Sequence, residues 1–166
     1  MNYLYHLITI FQILTFFGLF LGFHTITSPF GKRTSPTSGA SSNHSGIDIA
    51  APEGSTIYSV ITGTVTFIGF KGAGGYTITV QNGNLEISYC HVSPNYIISL
   101  GDSINSSEKI GNVGPKYVYG VSNNPYHDSS GNPTNRCYHG MSSSFNNKKR
   151  RHSRQSFRFF LNSFHI

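Results

Sequence analysis

Tyr76-Thr77-Ile78-Thr79-Val80-Gln81-Asn82-Gly83-Asn84-Leu85-Glu86-Ile87-Ser88-Tyr89-Cys90-His91-Val92 is the stretch whose reading decides the fold. Two runs rich in β-branched and aromatic residues flank Asn82-Gly83, a pair that tolerates the positive backbone dihedrals of a tight hairpin turn. Alternation then puts Leu85, Ile87 and Tyr89 on one face of the second strand and Glu86, Ser88 and Cys90 on the other. Upstream, Ser55 to Val60 and Gly63 to Phe70 share this composition and length. Downstream, Gly101-Asp102 and Gly111-Asn112-Val113-Gly114 punctuate a further short pair. No helical periodicity competes, so the fold class is all-β.

Gly72-Ala73-Gly74-Gly75 lies between two of these strands. A phosphate-binding loop needs a following helix whose amino terminus holds the anion, and here a strand follows. The segment reads as a hairpin loop.

The chain of 166 residues, 37% hydrophobic, holds one domain with a core and tails. Three parts follow: an apolar signal- or anchor-like segment (1–26), a domain (27–135) and an irregular basic tail (136–166). Leu7 to Phe23 is interrupted only by Thr9, Gln12 and Thr15, and is long enough for a signal sequence or a short membrane anchor. Lys32 and Arg33 follow it, an arrangement that favours a cytoplasmic domain on charge alone. Ser35 to Ser45 is a Ser/Thr/Gly-rich loop.

The net charge of +6 belongs to the tail. Seven of the twelve Lys and Arg lie beyond Asn135 (Arg136, Lys148, Lys149, Arg150, Arg151, Arg154 and Arg158), with no acid among them. Up to Asn135 the chain carries five basic and six acidic residues. Such a tail ordinarily suggests nucleic acid or anionic lipid. Cys90 and Cys137 make neither a disulfide framework nor a zinc spacing, and Cys90 reads as a small buried strand residue.

His44-Ser45-Gly46-Ile47-Asp48 sets an imidazole and a carboxylate four residues apart, and His91 supplies a second imidazole from another strand. Full extension would hold the backbones of His44 and Asp48 about 13 Å apart. Two side chains could not reach one ion from there with metal bonds of about 2 Å. The chain must bend, and Gly46 permits it. Taken alone, the spacing also suits a solvated histidine beside a turn.

The ordered set is more specific. It comprises Ser28-Pro29-Phe30-Gly31, His44 to Gly54, Gly63-Thr64-Val65-Thr66-Phe67, Tyr89-Cys90-His91-Val92-Ser93 and Ile110 to Gly114. Over residues 27 to 115 this resembles the lysostaphin-like (LytM-type) zinc metallopeptidases, cell-wall endopeptidases. The resemblance implies a small open antiparallel β-sheet, a half-barrel peptidase core with the site in a groove across one face. It implies zinc as cofactor, His44 and Asp48 as metal ligands, and His91 as a catalytic histidine. It implies peptidoglycan peptides as substrate and an extracytoplasmic place in the bacterial envelope, membrane-anchored through residues 7–23 or secreted. A monomer that binds no nucleic acid is expected.

The family closes its site with an H-x-H strand whose second histidine is the third zinc ligand, and this chain has none. His127 and His139 are the nearest candidates, neither in a suitable strand. Beyond Asn135 the β-pattern stops abruptly. Read one nucleotide later from Arg136, Met141 with its following serine gives Cys, and Ser142, Ser143 and Ser144 become codons open to His or Leu. Permitted choices give N-G-A-T-T-G-C-H-L-H. The expectation is a frameshifted product, truncated and catalytically impaired, whose core loses a strand partner. Two alternatives stand beside it: a non-catalytic binding module for cell-wall peptides, and a small membrane protein with a basic tail.

Overall fold

The structure, a computed structural model, describes residues 26–32, 34 and 42–135, together with the backbone of 155–162. The apolar stretch 7–23, Cys137 and His139 lie outside the described residues. In chain order the strands are β1 (Ile26–Ser28), β2 (Gly31–Lys32), β3 (Asn43–His44), β4 (Gly46–Ala51), β5 (Thr56–Tyr58), β6 (Gly63–Phe70), β7 (Tyr76–Asn82), β8 (Leu85–Cys90), β9 (Ser103–Ile104), β10 (Lys109–Asn112) and β11 (Gln155–Asn162). Among the described residues there is no α-helix.

The main sheet runs β1-β4-β11-β8-β7-β6-β9, antiparallel throughout, and curls into an open half-barrel as the sequence implies. Two short pairs, β5 with β10 and β2 with β3, flank it. Register separates its two faces, because directly opposed residues share a side. Ile47, Tyr89 and Ile78 are level on one face. They belong to one core with Ile49, Ile57, Val65, Val80, Ile87, Val92 and Ile110. Burial pushes the Tyr89 phenol up to about 12, against lowering hydrogen bonds from Ser59 and from the Val60 amide, which donates to it at 2.8 Å.

The other face is built from small polar groups. Asp48, Cys90 and Thr77 are level on it, and Ser88 and Thr79 form the next row, their hydroxyls 2.9 Å apart. Cys90 is buried in β8, as expected, where Thr77 Oγ1 donates to its sulfur at 3.7 Å.

Several local expectations change. The tight turn is Gly83-Asn84 rather than Asn82-Gly83, with φ of 57° at Gly83, the Gly-first pattern of a type II′ hairpin. The bend between His44 and Asp48 falls at Ser45, so Gly46 opens β4 rather than carrying the break. β9 and β10 do not pair with each other; they pair with β6 and β5.

The tail departs most from its irregular reading. Gln155–Asn162 lies as β11 between β4 and β8, so the expected loss of a strand partner is corrected. The physical reason is the slot itself. Two strands two spacings apart each present a row of backbone N–H and C=O groups, and any extended segment of the chain can satisfy both rows.

Candidate functional site

β3 and β4 bring His44 and Asp48 together. After the Ser45 bend both side chains turn to the polar face while Ile47 and Ile49 pack in the core. His44 Nε2 stands 3.5 Å from Asp48 Oδ1. Both residues are buried, 3% and 7% exposed. His44 Nδ1 lies 2.9 Å from the Pro29 carbonyl oxygen and 3.2 Å from Ser28 Oγ. A carbonyl only accepts, so Nδ1 carries a proton, and whenever the ring is neutral the lone pair of Nε2 faces the carboxylate. Two electron-rich groups held face to face in a buried site call for a proton or a cation between them.

The separation fits a metal. Donors on one tetrahedral zinc, with bonds of about 2 Å, stand about 3.3 Å apart. The Pro29 carbonyl holds the ring as an outer partner holds a ligating histidine, fixing both tautomer and orientation. Among the described residues no third His, Cys, Asp or Glu joins this pair. His127 is exposed on an isolated bridge to Pro133 and does not join it.

His91 sits apart from the pair. Asp48 and Cys90 are both register partners of Arg158, so their strands are two spacings apart, about 10 Å. His91 follows Cys90 with φ of 59°, left-handed for a residue that bears a side chain, and this turns the chain out of the strand alternation. Its amide donates to the Gly74 oxygen at 2.9 Å, and its carbonyl accepts from Gly114 at 2.8 Å. His91 Nδ1 donates to the Asn135 carbonyl oxygen at 2.7 Å, which leaves the lone pair of the neutral ring on Nε2.

Asn135 is the site residue the sequence reading missed. It is 2% exposed and closes the 115–135 loop against the sheet. Its carbonyl serves His91, its Oδ1 accepts from the Tyr76 amide at 2.8 Å, its Nδ2 donates to the Val92 carbonyl at 3.1 Å, and its amide donates to Lys116 O at 2.9 Å. No sequence motif announces a backbone carbonyl. A faint signal lay in the glycines, since a Cβ on Gly75 would meet the Asn135 oxygen at 1.9 Å.

The loop has its own anchor at Asp128. Partial desolvation raises its carboxyl, but hydrogen bonds from the Asn132 and Ser130 amides, the Asn132 side chain and the Tyr117 hydroxyl outweigh this and hold it at about 2.

Residues 42–126 match Peptidase family M23. The chain belongs to that family. It is 36% identical over 90 residues to the DD-carboxypeptidase/endopeptidase Mpg of Neisseria meningitidis serogroup B, covering 54% of this chain and 20% of that protein. It is 30% identical over 86 residues to the uncharacterized lipoprotein YgeR of Escherichia coli K12, covering 51% of this chain and 34% of that one. The chain thus spans about a fifth to a third of the length of these relatives. Among solved structures, the catalytic domain of lysostaphin from Staphylococcus simulans superposes with a TM-score of 0.55 at 18% identity, over 93% of this chain and 87% of that one. A zinc-containing peptidase from Vibrio cholerae gives 0.54 at 20% identity, over 84% and 34%. These two likenesses concern the fold of this M23 chain.

Proposed function

We propose that this chain carries a zinc metalloendopeptidase domain of the M23 family, directed at the peptides of peptidoglycan and impaired by the loss of its last metal ligand. The observation that carries the reading is the buried confrontation of His44 Nε2 and Asp48 Oδ1 at 3.5 Å, with Nδ1 tied to Pro29. In this reading His44 and Asp48 are the metal ligands. Zinc at such a pair would supply Lewis acidity, polarising a scissile carbonyl and acidifying water. His91, neutral and protonated on Nδ1, is the base that takes a proton on Nε2 and returns it to the leaving amine.

The relatives support the setting. Mpg is named a carboxypeptidase and endopeptidase and YgeR a lipoprotein, so an extracytoplasmic place in the envelope is proposed here, with residues 7–23 as signal or anchor. A monomer is proposed. Two protein ligands are one short of an ordinary catalytic zinc site. The frame change after Asn135 accounts for this, since it would remove an H-x-H segment and leave the basic tail as an accident of frame rather than a nucleic-acid surface.

Zinc content of the purified full chain tests the reading. We expect zinc bound by the wild type and lost from His44→Ala; zinc retained undiminished by that variant removes His44 from the site. A chain with the frame restored is expected to lyse purified peptidoglycan, and serine codons incompatible with H-L-H end the frameshift proposal. The want of a third ligand among the described residues favours one further reading, a binding module. Zinc-free protein that still sediments with peptidoglycan is its signature.

A further inference from the structure

We infer that Asn135 is a positioning residue for His91, fixing through its main-chain carbonyl which ring nitrogen carries the proton. The inference rests on the proposed role of His91, but its own content is the tautomer. Four observations on Asn135 and His91 converge. The 2.7 Å hydrogen bond to His91 Nδ1 ends on a carbonyl, which can only accept, so the neutral ring holds its proton on Nδ1. That carbonyl is itself held in place. The Asn135 side chain spans from the Tyr76 amide at 2.8 Å to the Val92 carbonyl at 3.1 Å, and its amide reaches Lys116 O at 2.9 Å.

The third observation is steric. Gly75 and Gly114 flank Asn135 so closely that a Cβ on Gly75 would meet its carbonyl oxygen at 1.9 Å and its Oδ1 at 2.5 Å. A Cβ on Gly114 would meet its Nδ2 at 2.6 Å. The carbonyl therefore has little room to swing away. The fourth is the backbone of His91 itself, at φ of 59°, a left-handed conformation that a residue with a side chain keeps only where its surroundings over-determine it. Here they do, through Gly74 O on the amide side and the Gly114 amide on the carbonyl side.

The chemistry is that of an oriented base. With Nδ1 committed to Asn135 O, a proton arriving on Nε2 gives an imidazolium whose Nδ1–H already faces a carbonyl dipole. The loop from Lys116 to Asn135 thereby sets the ring, although its residues need not touch substrate. Asp128 and the bridge between Tyr117 and Thr134 tie that loop together and so hold the carbonyl in register.

Nitrogen-15 NMR of the histidine-labelled full chain, at a pH where the ring is neutral, reads the tautomer directly. In the wild type His91 is expected wholly as the Nδ1–H form; an Nε2–H ring overturns the inference without any variant. In Asn135→Ala, and in Asn135→Asp, which keeps the size but loses the donor to Val92, the ring signals are expected to shift toward an Nε2–H mixture. Zinc content should be as in wild type. A folded variant whose His91 tautomer is unchanged overturns the inference. If the tautomer behaves as expected while His91→Ala leaves lysis by the frame-restored chain intact, the role assigned to His91 fails and the positioning by Asn135 stands.

Discussion

His44 and His91 are held by the same device and prepared differently. His44 and His91 each donate Nδ1–H to a main-chain carbonyl far along the chain, Pro29 at 2.9 Å and Asn135 at 2.7 Å. On the His44 side the ring then confronts a carboxylate across 3.5 Å, between β3 of a flanking pair and β4 of the main sheet. On the His91 side the ring is clamped by a closed loop, a buried asparagine and two glycines. The contrast separates a buried imidazole and carboxylate facing each other across 3.5 Å from a ring whose polar neighbours are already fixed by the loop.

The largest expected effect breaks that contrast at its first half. Asp48→Ala should weaken zinc binding by about a hundredfold or more, beyond the 10–100-fold that loss of an outer-shell partner costs. His91→Ala should leave zinc affinity within about threefold. Competition against a zinc-binding dye measures both, and equal losses would merge the two halves into one ligand set.

The next effect strikes the other half. Gly75→Ala places a methyl on the Asn135 oxygen and a side chain at φ of 61°, so unfolding in urea should reveal a loss of about 2 kcal/mol or more. The His44 ring signals should stay unmoved. A neutral outcome would mean that the loop yields, and that the clamp is looser than its contacts imply.

The smallest effect concerns acid. The Asp128 carboxyl lies near 2 when folded and near its ordinary 3.8 when unfolded. Its contribution is thus present in full above about 4 and disappears as pH falls through about 2. Stability measured across that window should fall less steeply in Asp128→Asn than in wild type. An unchanged slope would detach Asp128 from the closure of the loop and weaken the account of the His91 half.

Legibility followed the range of the interactions. The run Gly63 to Phe70 coincides with β6, and the two runs flanking the Asn82-Gly83 pair become β7 and β8, because alternation and turn glycines are local signals. Ser55 to Val60 shortened to Thr56–Tyr58, since only three of its residues find a ladder in β10. His44 and Asp48 were legible as a pair through their spacing and the ordered motifs around them. Asn135 was not legible, because every residue owns a carbonyl and only folding decides which one meets an imidazole. The occupant of the slot between β4 and β8 was equally hidden, for strand pairing across about a hundred residues leaves no periodic trace.

The sequence by itself determined an all-β chain, the two faces of its central strands and the imidazole-carboxylate pair, since side-chain alternation and turn chemistry act over a few residues. Tertiary structure alone decided how the histidines are tautomerised, which loop clamps His91 and which segment completes the sheet. Those choices depend on hydrogen-bonding groups that every residue carries, and so on proximity rather than on identity.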